Sequence, residues 1–165
     1  MSAGEGQPTP LELLAAWDVD VLRAAMNRWA PFAGPGIEVE HLAEDASEVR
    51  VRLPLTRDNA NLVGTQFGGS LYAMVDPFLM ILLTRRLGPG YRVWDRSAAI
   101  EYLAPGAGEV RAVIHLSEER VAEIHAACAD GEPHLPEWTL EVTDTTGQVV
   151  ARVTKTLWVR RVTEG

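Results

Sequence analysis

The chain has 165 residues, 47% apolar and 23% charged, and its 15 basic and 23 acidic side chains leave a net charge of −8. These values fit one ordinary domain with a real core and exclude disorder over most of the length. An acidic balance lacks the basic footprint that phosphate backbones require, so no nucleic-acid partner is expected.

Met1 to Pro8 has neither a positive n-region nor an apolar h-region, so it reads as a flexible tail (residues 1–9) and not as a secretory signal. Thr9-Pro10-Leu11-Glu12 forms a capping box with proline at the first helical position. Leu14, Trp17, Val21, Leu22, Ala25, Met26 and Trp29 then recur at helical spacing. They predict a helical extension over 10–35, helical to about Ala30, with Asp18 or Asp20 able to cap a second helix and Pro31 and Gly34-Pro35-Gly36 ending it.

A domain over 36–162 follows. Ile37 to Glu44 and Glu48 to Leu55 alternate as a hairpin, with Val49, Val51 and Leu53 on one face, and Thr56 to Gln66 is a loop. From Gly68 to Leu87 apolar residues run almost all round, which predicts a helix buried on every side and stopped by Gly88-Pro89-Gly90. Its apolar stretch, Leu71 to Leu83, is broken by Asp76 and Pro77 and is shorter than the roughly 20 residues a membrane span needs, so no membrane partner is expected. Arg92 to Leu103, Glu109 to Leu116, Trp138 to Thr143 and Val149 to Arg160 are predicted strands, the last two joined by the Asp144-Thr145-Thr146-Gly147 turn. Ser117 to Asp130 has helical spacing, with Cys128 on its apolar stripe. A lone cysteine excludes an internal disulfide and a thiolate metal cage, and it fits a reducing cytoplasm. His41, His115, His125 and His134 lack metal-ligand spacing, so no metal and no cofactor are expected.

One apolar helix among these strands predicts an α+β architecture. A curved antiparallel sheet of about six strands wraps the helix, and a second copy of the chain buries the remainder.

Chemistry concentrates in the run from Asn61 to Pro77. Gly68 and Gly69 open the helix and leave backbone N–H groups that a carbonyl oxygen or an anion can approach closely. Asp76 is a carboxylate inside an apolar helix, which is costly unless paired or used. Its bland role is a bond to the backbone or to Tyr72 at a kink made by Pro77.

This run resembles the hotdog-fold acyl-CoA thioesterases of the phenylacetate-pathway type. Those carry His-Gly-Gly at the start of the central helix and an acidic residue eight positions after the first glycine, and Gly68 and Asp76 match both type and spacing. The resemblance extends through Gly90 to Asp95, Tyr102 to Gly106 and Lys155 to Arg160, covers about Ile37 to Val162, and is closest to a domain-of-unknown-function branch. Phe67 stands where the family has its histidine.

Eight helical residues span ~12 Å at ~1.5 Å per residue, so one thioester carbonyl cannot touch Gly68 and Asp76 of the same helix. If both act, they come from two subunits of a homodimer with antiparallel central helices, an arrangement the resemblance also implies. A dimer of dimers stays open. The expected reaction is hydrolysis of an acyl-CoA thioester. The Gly68 N–H receives the oxyanion, and Asp76 acts as general base or nucleophile. Asn61 and Gln66 orient water or the substrate amide. For the coenzyme, Gly69, Arg57, Arg85 and Arg86 are candidates, with Arg160 and Arg161 beside them. The rival readings are a non-catalytic acyl-CoA or lipid-binding protein, which Phe67 favours, and a hydratase, which would need a histidine near the motif.

Overall fold

The structure is a computed structural model and describes residues 16–162. The tail expected over 1–9 and the start of the helical extension lie outside the described residues. Helix α1, Val19–Arg28, begins where the Asp18 carboxylate accepts from the Asp20 amide at 2.9 Å. Its buried residues are Leu22 and Met26. Asn27 clips it to the first strand, accepting from the Val39 amide at 2.7 Å and donating to the Val39 carbonyl at 3.2 Å. Pro31 does not end the helical region as expected. It sits in the first turn of a second short helix, α2, Ala30–Ala33, where proline's missing N–H has no intrahelical partner to lose. Phe32 of α2 is buried, with its ring 5.8 Å from that of Phe78.

Six strands follow: β1 Glu38–Leu42, β2 Glu48–Leu53, β3 Tyr91–Tyr102, β4 Val110–His115, β5 Glu137–Asp144 and β6 Val149–Arg161. They form one sheet in the order β1-β2-β4-β5-β6-β3, every pair antiparallel. Alternation sets which face is buried. Val49, Val51 and Leu53 of β2 and Ala151, Val153, Leu157 and Val159 of β6 point to the concave side. A bulge between Asp95 and Ser97 shifts the β3 register against β6. Strand β3 is the outer strand at one end of the sheet and is exposed over most of its length.

The central helix over residues 68–87 lies against the concave face, but it is not continuous. It is split into α3, Gly68–Ala73, and α4, Phe78–Leu87. The cause is Pro77, which has no N–H to donate to the preceding turn. Met74, Val75, Leu79, Leu82 and Leu83 along it are all fully buried. Burying each such leucine contributes ~1.5–3 kcal/mol, so the core centres on this rod. Gly88, at φ +75°, terminates α4. Helix α5, Glu118–Ala127, starts at Ser117, whose hydroxyl accepts from the Arg120 amide, and places Val121, Ile124 and Cys128 in the core. No helix among the described residues is long and apolar enough to cross a membrane.

Candidate functional site

The loop before α3 is built by its own side chains. Asn59 is buried; it accepts from the Thr56 amide and donates to the Pro35 and Pro54 carbonyls, each at 2.7 Å. Asn61 accepts from the amides of Val63 and Thr65 at 3.0 Å. Its amide nitrogen donates to the Thr65 hydroxyl at 2.9 Å and to the Gln66 carbonyl. Both ends of the Asn61 side chain are thus engaged within the loop. The turn also needs Gly64 at φ +82°. Leu62 and Val63, at the tip, are fully exposed.

Gln66 is held more deeply. Its side-chain nitrogen donates to the Leu53 and Gly108 carbonyls at 3.1 Å each, which fixes the amide orientation. Its oxygen, Oε1, is buried and has no partner. The close approach of Gly106 makes this possible, because a Cβ there would fall 2.8 Å from Gln66 Cγ.

Gly68, Gln66 and Asn61 line one groove of about 540 Å³, together with Leu71, Tyr102 and Gly106. No side chain caps α3, so its first N–H groups have no side-chain partner, and Gly68, which opens the helix, lines the groove. Tyr102, at the end of β3, leans over Gly68, and a Cβ on that glycine would lie 2.8 Å from the phenol oxygen. At Gly69 a Cβ would lie 2.5 Å from the Phe67 ring. The ring standing where the family carries its imidazole therefore folds back across Gly69, and it is exposed.

Asp76 lies at the break between α3 and α4 and does not line the groove. Its Oδ1 accepts from the Tyr72 hydroxyl at 2.6 Å and from Lys155 Nζ at 2.9 Å. Lys155 also donates to the Asp76 main-chain carbonyl and pairs with Asp95 at 3.1 Å. The lysine side chain is 0% exposed, while the two carboxylates are 39% and 37% exposed. Burial pushes the Asp95 carboxyl above its ordinary value; the Lys155 charge pulls it back and the Asp76 charge adds to the rise. Burial and the bond to Asp76 push the Tyr72 phenol up as well.

The arginines lie elsewhere. Arg85 donates to the Trp17 carbonyl at 2.8 Å, Arg86 pairs with Glu118, and Arg160 donates to the Gly131 carbonyl at 2.8 Å. None of these, nor Arg57 or Arg161, lines the groove. Sequence reading did not single out Lys155, Asp95 or Tyr102 as site residues. One signal was available for the first: Lys155 is the only lysine in the chain, all other basic side chains being arginines.

A curved antiparallel sheet holding one apolar helix against its concave face, with glycines opening that helix and an acid along it, defines a hotdog-fold protein. The chain belongs to the family described as a domain of unknown function, DUF4442, whose model matches residues 19–159. Among solved structures it is similar to a Pseudomonas aeruginosa protein of unknown function named a probable thioesterase. That likeness has 20% identity and a TM-score of 0.79, and it covers 88% of this chain and 97% of that one. It is also similar to a Haemophilus influenzae thioesterase (17% identity, TM-score 0.63, 90% and 94% covered). A thioesterase variant from Pseudomonas aeruginosa gives 16% identity, a TM-score of 0.62 and 89% and 96% coverage. No curated protein matches the chain.

Proposed function

We propose that the protein hydrolyses an acyl-CoA thioester as a homodimer. The observation that carries this is the pairing of an uncapped glycine N-terminus, open to a groove, with a carboxylate held at a break in the same buried helix. The Pseudomonas aeruginosa and Haemophilus influenzae structures carry thioesterase names, which supports the reaction class.

In this reading the thioester carbonyl enters the groove beside Gly68, whose N–H takes the developing oxyanion; a donor of this kind contributes about 10²–10³ in rate. Asp76 of the partner subunit removes a proton from water as the water oxygen bonds the carbonyl carbon, or it attacks that carbon itself. Collapse of the tetrahedral intermediate breaks the C–S bond, and the proton taken from water goes to the leaving thiolate; where Asp76 itself attacks, collapse leaves an acyl-aspartyl anhydride, and the water that hydrolyses it supplies that proton. The products are a carboxylic acid and free coenzyme A thiol. Gln66 Oε1, buried and without a partner, offers an acceptor for a substrate amide N–H or for the water. The apolar side of the groove, with Leu71 and Leu103, suits the acyl group. The long exposed strand β3 at the sheet end and the exposed Leu62 and Val63 suit contact with a second copy, either one dimer or a dimer of dimers. A cytoplasmic location fits the lone, buried Cys128.

A second reading, a non-catalytic acyl-CoA or lipid-binding protein, is favoured by Phe67 and by the ion pair that already occupies Asp76 Oδ1. A panel of acyl-CoA esters with free-thiol readout separates the two. Loss of release by about 10²-fold or more in both Asp76→Asn and Asp76→Ala supports the hydrolase. Absence of release from the wild type, with acyl-CoA raising the melting temperature, selects the binding protein.

A further inference from the structure

Lys155 is the one lysine in the chain, and it is wholly enclosed. Its neighbours Ala151, Val153, Leu157 and Val159 on the same face of β6 are apolar core residues. Stability does not explain a cation here. A buried ion pair is weak evidence for stability, because packed apolar side chains in place of the whole pair are often as stable or more so, although removing one partner alone is costly. The geometry is nevertheless complete. An ammonium has three N–H donors, and Lys155 Nζ has three acceptors: the Asp76 carbonyl, Asp76 Oδ1 and an Asp95 oxygen. Two of them belong to one residue, so the ammonium grips both the backbone and the side chain of Asp76. With Tyr72 on the same oxygen, Oδ1 carries two donors. The other oxygen, Oδ2, accepts no hydrogen bond among the described residues.

We propose that Lys155 is the positioning residue for Asp76. It fixes the carbonyl freed at the helix break and ties down Oδ1, so that Oδ2 is the oxygen presented for reaction, while Asp95 holds the ammonium in place from β3. Tyr72 completes the clamp from α3. This rests on the hydrolytic reading for its purpose but not for its geometry. Lysine suits the position because a compact ammonium aims three donors tetrahedrally from one nitrogen, whereas an arginine spreads its donors over three nitrogens in one rigid plane. Asp95 reaches Nζ because it precedes the β3 bulge, which keeps it on the inner face beside Val93.

The test combines steady-state kinetics on an acyl-CoA ester with crystal structures and thermal midpoints. The variants are Lys155→Met, Lys155→Arg, Asp95→Asn, Asp76→Asn and the double variant Asp76→Asn with Lys155→Met. Lys155→Met is expected to lower kcat by roughly ten- to a hundredfold, in the range that a small misplacement of a reacting group produces, with KM within about twofold. Lys155→Arg, keeping charge but not geometry, is expected to fall nearly as far. Asp95→Asn should lower kcat less, since one partner of Nζ weakens while Asp76 keeps both of its bonds. In the Asp76→Asn background, Lys155→Met is expected to cost nothing further in kcat, although it still lowers the melting temperature; a general packing role would cost the same in both backgrounds. Should Lys155→Met fail to fold, Lys155→Met with Asp95→Asn removes one carboxylate along with the cation and replaces it in every comparison. Undiminished kcat in these variants, or equal losses in both backgrounds, overturns the proposal. If Asp76→Asn retains full turnover, the hydrolytic role of Asp76 falls. The crystal structure of Lys155→Met then decides this inference alone: a displaced Asp76 carboxylate upholds it, and an unmoved one overturns it.

Discussion

Replacing Gly68 with alanine tests whether the groove is where substrate goes. The added Cβ would stand 2.8, 2.9 and 3.0 Å from Oη, Cζ and Cε1 of Tyr102. Contacts of this kind settle near 3.5–4.0 Å, roughly 0.7 Å farther out, so the ring must retreat. It has room to do so, because Tyr102 is 57% exposed. Relative to glycine, alanine in a helix gains ~0.5–1 kcal/mol. Overpacking a fixed core would cost ~1–3 kcal/mol, and a ring that can swing into solvent brings that toward the low end. The two effects nearly cancel, so the melting temperature should stay within about 4 °C of the wild type. Thiol release is a different matter, since the methyl stands in the groove and shifts the phenol that lines it. We expect kcat/KM to fall at least about tenfold, as misplacement of the reacting carbonyl by a fraction of an ångström allows. Adding Tyr102→Ala should recover part of that loss by vacating the contested space. A drop in melting temperature beyond about 10 °C would mean the ring is locked. Unchanged thiol release in Gly68→Ala would show that the groove is not the reacting site.

Three further expectations concern the scaffold. Leu82→Ala removes a fully buried side chain from the helical rod, and urea titration should show a loss of about 2–5 kcal/mol. Asn59→Ala strips the Thr56 amide and the Pro35 and Pro54 carbonyls of their partner; about 2–4 kcal/mol should be lost by the same measurement, with KM for the thioester rising as the loop before the groove loosens. Asp144 accepts from the Thr146 hydroxyl and from the Thr146 and Gln148 amides, which hold its carboxyl below the ordinary 3.8. A depressed carboxyl adds stability above its unfolded value and surrenders it as pH falls through the folded one. The advantage of wild type over Asp144→Asn in thermal melts should therefore be full above pH 3.8 and shrink below it, and an advantage that grew on acidification would contradict the assignment.

The sheet was legible because two-residue alternation needs nothing beyond neighbouring residues. Val49, Val51 and Leu53 announce an inner face and are completely buried, and the Asp144–Gly147 turn joins β5 to β6 as its residue types suggest. The central helix was legible as an apolar run, but its division was not. Only the backbone shows that the turn around Pro77 opens instead of bending. Pro31 misled for a related reason, since proline both ends one helix and suits the first turn of the next. At the candidate site, Asp76 was visible as a charge out of place, whereas its partner was hidden by a separation of 79 positions along the chain. Alternation along β6 did point residue 155 inward, between Val153 and Leu157. A lysine at an inward position is the kind of contradiction that marks a site. The contact between Tyr102 and Gly68 depends on where the end of β3 meets α3, which no local pattern encodes.

The seclusion of the single lysine makes the molecule its own opening gauge. Acylating reagents such as succinimidyl esters meet no ε-amine on the folded surface of this chain. An adduct at that position can form only when the sheet lifts from the helix beneath it. The rate at which it accumulates in a mass spectrum would thus time the breathing of the inner face, with no dye or engineered tag required.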